Sequence, residues 1–170
     1  NEATSFWSSA VGYDNTATGD LSNAFGFRNE ATGQNSSAFG LGNDAIGRQS
    51  SAFGYNNNAT GDQSSAFGYG TLSDVFGLMA VGRYNADPVG SATTWEATEP
   101  VFVVGNGENV ISRSTALTIL KNGNVGIGDE TPEELLEVNG NVKATNFIGD
   151  GSMLSNIDIN VIIFSRTFSI

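Results

Sequence analysis

The side chains that could do chemistry in this chain are acids, hydroxyls and a column of aromatic residues. Seven Lys+Arg stand against 18 Asp+Glu, giving a formal net charge of −11, and the sequence contains neither Cys nor His. Thiol nucleophiles, Cys/His zinc sites and imidazole acid–base work are thereby excluded, and no cysteine pairing reports a redox compartment. The closest acidic cluster is Glu133, Glu134 and Glu137. Its spacing suits one solvated helical turn rather than two carboxylates facing each other across a glycosidic bond. Asp14, Asp20, Asp44 and Asp62 fall in predicted turns, where Asp is favoured by hydrogen bonds to its own backbone. "GNGEN" (Gly105 to Asn109) and "DGS" (Asp150 to Ser152) are weak cation-holding sequences, and the nine-residue Gly-Gly-x-Gly-x-Asp calcium repeat is absent. "GIG" at Gly126 to Gly128 lacks the third glycine, the long helix and the acidic partner of a dinucleotide site. Asn35-Ser36-Ser37 and Asn58-Ala59-Thr60 match the glycosylation sequon only through repeat composition. With no nucleophile–base pair, the sequence predicts no catalytic, cofactor or metal site, and the chain reads as not an enzyme. Its acidity argues against nucleic acid as a partner. No apolar run approaches the roughly 20 residues that span a bilayer, so no membrane insertion is expected of these residues.

What positions these side chains is a repeat. Aligned on Ser-x-Ala-x-Gly, copies start at Ser8, Ser22, Ser36, Ser50 and Ser64, 14 residues apart each time. A second Ala-x-Gly follows at half the period: Ala17/Gly19, Ala31/Gly33, Ala45/Gly47 and Ala59/Gly61. The period breaks at Ser73 to Gly77 and returns with "MAVG" at Met79 to Gly82. Glycine at every seventh position costs about 1 kcal/mol each in a helix relative to Ala, so the repeat predicts strands. "SSAFGL" alternates accordingly, with Ala38 and Gly40 on one face and Ser37, Phe39 and Leu41 on the other. Two strands of about five residues and two tight turns close one coil, and stacked coils make a solenoid of two narrow sheets. If both strands turn Ala and Gly inward, Val11, Phe25, Phe39, Phe53 and Phe67 form an outward apolar stripe too extensive for a monomer in water. These five are the candidate packing residues. The reverse orientation, aromatics inside, also demands close association.

The pattern Ser-x-Ala-x-Gly-x-x-x-x-Ala-x-Gly, over roughly residues 5–84, resembles the head repeats of YadA-type trimeric autotransporter adhesins. That resemblance implies a left-handed parallel β-roll and a homotrimer, although Phe stands here where Val or Ile is commoner. "ALTILKNGNVGIGDETPEELLEVNGNVKATNFIGDGSMLSNI" (Ala116 to Ile157) is similar to stems of phage tail fibres and bacterial surface fibres that precede a self-cleaving intramolecular chaperone. Within it "ALTIL" and "VGIG" read as short strands, "NGN" as tight turns, and "TPEELLEV" as a helical turn with Pro132 near its start. The expected organisation is an all-β fold with a β-roll head at 1–84, a connector at 85–100 and an interwoven β-rich stem at 101–170. "NVIIFSRTFSI" at the end finds no counterpart. Asn1 is not an initiator Met, so the chain reads as a fragment or a processed product.

Two columns remain. Thr18, Thr32, Ile46 and Thr60 form a hydroxyl row of the kind that binds ice, but Ile46 interrupts it and Thr suits an exposed strand position on its own account. Tyr13, Phe27, Leu41, Tyr55 and Tyr69 end their strands before the turns. As contact residues Tyr13, Phe27, Tyr55 and Tyr69 would meet a cell-surface receptor or a glycan; as structural ones the column covers the roll edge or the trimer seam. The sequence points to an extracellular attachment fibre on a virion, an injection particle or a bacterial surface. A purely structural spacer, and a polysaccharide depolymerase with an inter-chain site, are its alternatives.

Overall fold

A computed structural model describes residues 1–146 together with Ile148, Asp150 and Ser152. "NVIIFSRTFSI" and the end of the expected stem lie outside the described residues. Among the described residues all 15 regular elements are strands. Five-residue strands β2 (Ser9–Tyr13), β4 (Asn23–Phe27), β6 (Ser37–Leu41), β8 (Ser51–Tyr55), β10 (Ser65–Tyr69) and β11 (Met79–Arg83) stack in parallel, each residue beside the one 14 positions on. Across the coil runs a second parallel sheet of two-residue strands, β1 (Glu2–Ala3), β3 (Thr16–Ala17), β5 (Glu30–Ala31), β7 (Asp44–Ala45) and β9 (Asn58–Ala59). The chain is therefore a parallel β-solenoid with 14-residue coils.

The second strand of each coil is shorter than the five residues expected. Asn15 precedes it, its buried amide donating to the Val11 and Gly26 carbonyls, and Gly19 follows it closely in a bend. Coil-to-coil hydrogen bonding nonetheless continues beyond the strand ends, as in Thr16 N–H to Asn29 C=O (2.9 Å) and Thr18 N–H to Ala31 C=O (3.1 Å).

Between the sheets lie Ala17, Ala24, Ala31, Ala38, Ala45, Ala52, Ala59 and Ala66, all fully buried. This interior of methyl groups settles the orientation left open by the sequence: within the chain the aromatics are outside. Glycine keeps the coils close. A Cβ at Gly40, whose φ is +121°, would meet the Gly54 carbonyl oxygen at 2.2 Å, so no other residue fits there.

The larger sheet does not stop with the repeats. From β11 it passes to β12 (Pro100–Asn106) in parallel, then antiparallel to β13 (Thr115–Leu120) and β14 (Val125–Ile127), and finally to β15 (Leu136–Val138). Residues 133–135 are bends leading into β15, so the helical turn expected in "TPEELLEV" does not form: Glu133 and Glu134 stay in solvent while Leu136–Val138 gains a strand partner in β14. The intervening segment is fastened by an ion pair. The fully buried Lys121 Nζ donates to Glu99 Oε2 at 2.9 Å, with the ammonium 5.0 Å from the Trp95 ring centroid and 5.8 Å from that of Phe76.

Candidate functional site: an aromatic ladder on a parallel roll

Because each strand lies in register with the next, like residues stack. Phe25, Phe39, Phe53 and Phe67 form a file of parallel rings with centroid separations of 4.9, 4.8 and 5.2 Å. The separation is imposed by the strand spacing, and such offset pairs add roughly 0.5–1.5 kcal/mol each beyond burial. These rings are half-buried in the isolated chain, and Val11 at the head of the row is 54% exposed. The row continues past the repeats through Val81, Val104, Leu117, Ile127 and Val138, cross-strand partners one after another. One apolar row thus crosses all ten strands of the larger sheet. Val81 keeps the 14-residue period, whereas the members beyond it are joined by pairings with no common period.

Two residues further along each strand is the rim column. Tyr13 stacks on Phe27 at 5.2 Å and Tyr55 on Tyr69 at 4.6 Å, with Leu41 between the pairs. All five are exposed in the single chain. The Arg28 guanidinium lies 5.1 Å above the Phe27 ring and that of Arg83 5.5 Å above Tyr69, giving the rim a few cationic points on an acidic molecule. The structure thus brings both predicted columns onto one face. Thr18, Thr32 and Thr60 are half-buried and Ile46 is 44% exposed, an uneven row on the opposite sheet.

The sequence reading missed a buried amide ladder. Asn15, Asn29, Asn43 and Asn57 are at most 1% exposed. Asn29 Nδ2 shares its two hydrogens among Phe25 C=O (3.0 Å), Gly40 C=O (2.8 Å) and Asn15 Oδ1 (2.9 Å). Its Oδ1 accepts from the backbone N–H (3.1 Å) and Nδ2 (3.0 Å) of Asn43. Every coil repeats this, and Thr71 ends the series by donating its hydroxyl to Asn57 Oδ1 at 2.7 Å. The signal was available as a 14-residue Asn column, but asparagine between two short strands reads as turn chemistry.

The acids are dispersed by the fold. Glu133 and Glu134 are exposed, and Glu137 Oε2 accepts the Glu133 N–H at 3.0 Å. Burial, followed by the Glu30 carboxylate beside it, raises the Asp44 carboxyl. Among the described residues no group of three or more acids could hold a metal ion.

A slim parallel solenoid with an alanine interior and an aromatic exterior defines the class of protein. The YadA head domain repeat matches it in two copies, over residues 17–43 and 45–71. Residues 17–43 and 45–71 are thus head repeats of the YadA type. No curated protein and no solved structure matches the chain.

Proposed function

We propose that this chain forms part of an extracellular homotrimeric fibre that attaches to a cell-surface receptor or glycan without catalysis. The observation that carries this reading is the unbroken apolar row on the outside of a coil whose inside is alanine. Eight buried methyl groups supply little hydrophobic stabilisation: at about 25 cal/mol per Å² of apolar area removed from water, alanine contributes least of the apolar side chains. The larger apolar surface is the one still open, and two further copies of the chain would cover it. Val11, Phe25, Phe39, Phe53 and Phe67 are then seam residues, with the rim residues Tyr13, Phe27, Tyr55 and Tyr69 at its edge. The head-repeat match favours the same assembly.

In this arrangement the roll at 1–84 is the head, 85–100 the connector and 101–170 a stem like that of a tail fibre, displayed on a virion, an injection particle or a bacterial surface. Three chains carry 3 × −11 = −33 formal charges and three copies of each rim contact. Individually weak contacts made in parallel gain strength through effective concentration. A spacer role is favoured by one feature: identical register over six successive strands makes the roll a stiff rod whatever it carries. Binding of the 170-residue chain to bacterial and animal cells and to a glycan array separates the two readings. Attachment predicts saturable binding that falls at least tenfold in the Tyr55→Ala/Tyr69→Ala variant. Absence of binding on every surface leaves the spacer.

A further inference from the structure

On the face of the larger sheet opposite the aromatic row, beyond the last coil, the connector and the 130–131 loop enclose a cavity of about 80 Å³ over β12 and β13. Its walls are apolar where they meet the sheet and the connector, at Val103, Pro88 and Val89, while Asp87 and Glu130 both line it and no cationic residue does so among the described residues. Thr118, cross-strand from Val103, also lines it. That residue is 2% exposed, and its hydroxyl finds no hydrogen-bond partner among the described residues. A buried hydroxyl left unpaired costs free energy that a ligand donor or acceptor would recover.

We infer that this cavity is a binding site for a primary alkylammonium group on a stem of four or five carbons, such as a lysine side chain of a partner or a free aliphatic amine. Charge selects the head group: two carboxylates without a counter-cation disfavour anions and favour an ammonium, which donates three hydrogen bonds and accepts none. Size selects the stem. At roughly 10–15 Å³ of cavity per water-sized group, the space admits about five to eight non-hydrogen atoms, enough for a lysine side chain and too few for a whole hexose with its hydroxyls. The apolar walls suit methylene groups, which long cationic side chains bury while their heads reach polar partners. The site faces away from the aromatic row, so it stays open whether or not copies of the chain pack there, and its existence does not depend on the attachment reading.

Heteronuclear NMR titration of the 170-residue chain tests this, using n-pentylammonium, N-acetyl-lysine-N-methylamide, n-pentanol and methyl glucoside as probes. The expected result is saturable millimolar shifts at the Thr115 to Thr118 amides with either amine and none with the alcohol or the sugar. A response to the capped lysine identifies a polypeptide side chain as an acceptable source, and a response to pentylammonium alone restricts the site to free amines. Asp87→Asn/Glu130→Gln, both at exposed positions, should weaken amine binding at least tenfold, and Thr118→Val should weaken it while leaving the fold intact. Equal shifts with n-pentanol, binding that survives loss of both carboxylates, or no saturable shift with either amine would overturn the assignment.

Discussion

Asn43 shows how one side chain can hold a coil whose core is only methyl groups. Its amide joins three successive coils: Oδ1 of Asn29 below, its own Phe39 carbonyl, and the Gly54 carbonyl above. Ala would remove the donor to the Phe39 and Gly54 carbonyls and leave the Asn57 backbone N–H without its acceptor in a dry interior. Each such group costs about 1–3 kcal/mol. Asn43→Ala is therefore expected to destabilise the chain by at least ~3 kcal/mol, measured by urea unfolding, whereas an exposed rim substitution such as Gln49→Ala should change it by less than ~0.5 kcal/mol. At this scale the sequence disclosed the Ala and Gly columns, since size and flexibility are visible in a residue's identity. It concealed the Asn column, because the same letter serves exposed turns and buried amide ladders. The turn columns were partly legible for the same reason: the left-handed positions expected of Asn, Asp and Gly are also filled by Leu21, Arg28, Gln49 and Gln63, with φ between 54° and 59°. An L-residue pays roughly 1–2 kcal/mol there, and inter-coil hydrogen bonds such as Leu21 N–H to Phe6 C=O (2.8 Å) hold it in place.

Between elements, stacking repeats conflicts as faithfully as it repeats contacts. In the short-strand sheet Glu30 and Asp44 are direct neighbours, and burial followed by the Glu30 charge raises the Asp44 pKa. A carboxyl with a raised folded pKa contributes stability below its unfolded value of about 3.9 and loses it as pH rises through the raised one. Asp44→Asn should accordingly stabilise the roll at pH 7, by roughly 0.5 kcal/mol for a partly solvated like-charge pair, with the difference gone at pH 3 in paired thermal melts. The opposite sign holds where the connector meets the hairpin. Burial alone would raise the Glu99 carboxyl, but hydrogen bonds from Lys121 and the Ser91 N–H hold it below the usual range. That stabilisation is present above about pH 4.3 and fades as pH falls through the lowered value. Lys121→Met, which strands a buried carboxylate, is expected to cost about 3 kcal/mol or more at neutral pH, and Glu99→Met/Lys121→Met to recover most of it. This pair was not legible beforehand: 22 residues separate the partners, and they meet only because the sheet carries on from β11 into β12 and β13. The helical turn expected at Pro132 failed for a related reason, since local propensity yielded to a strand partner supplied by β14.

For the whole molecule the question is what covers the row of rings. Its presence was readable from a 14-residue period, and its outward direction follows once the alanines are seen to fill the interior. Its length was only partly readable: Val81 keeps the 14-residue period, but Val104, Leu117, Ile127 and Val138 join through parallel and antiparallel pairings that share no repeat. An apolar row ten strands long on one face exceeds what a soluble monomer ordinarily leaves in water. The seam reading therefore extends the contact between copies from the head repeats into the second half of the chain. Replacing Phe39 and Phe53 by Glu would place like charges in that seam without touching the alanine interior, and should dissociate the assembly while the β-sheet circular dichroism persists. The most direct measurement is sedimentation equilibrium of the 170-residue chain, whose single-chain mass is 17.7 kDa. The expected mass is three times that value, independent of concentration across the micromolar range, falling to 17.7 kDa in Phe39→Glu/Phe53→Glu. A stable monomer of the unsubstituted chain, with its phenylalanine row open to solvent, would contradict it.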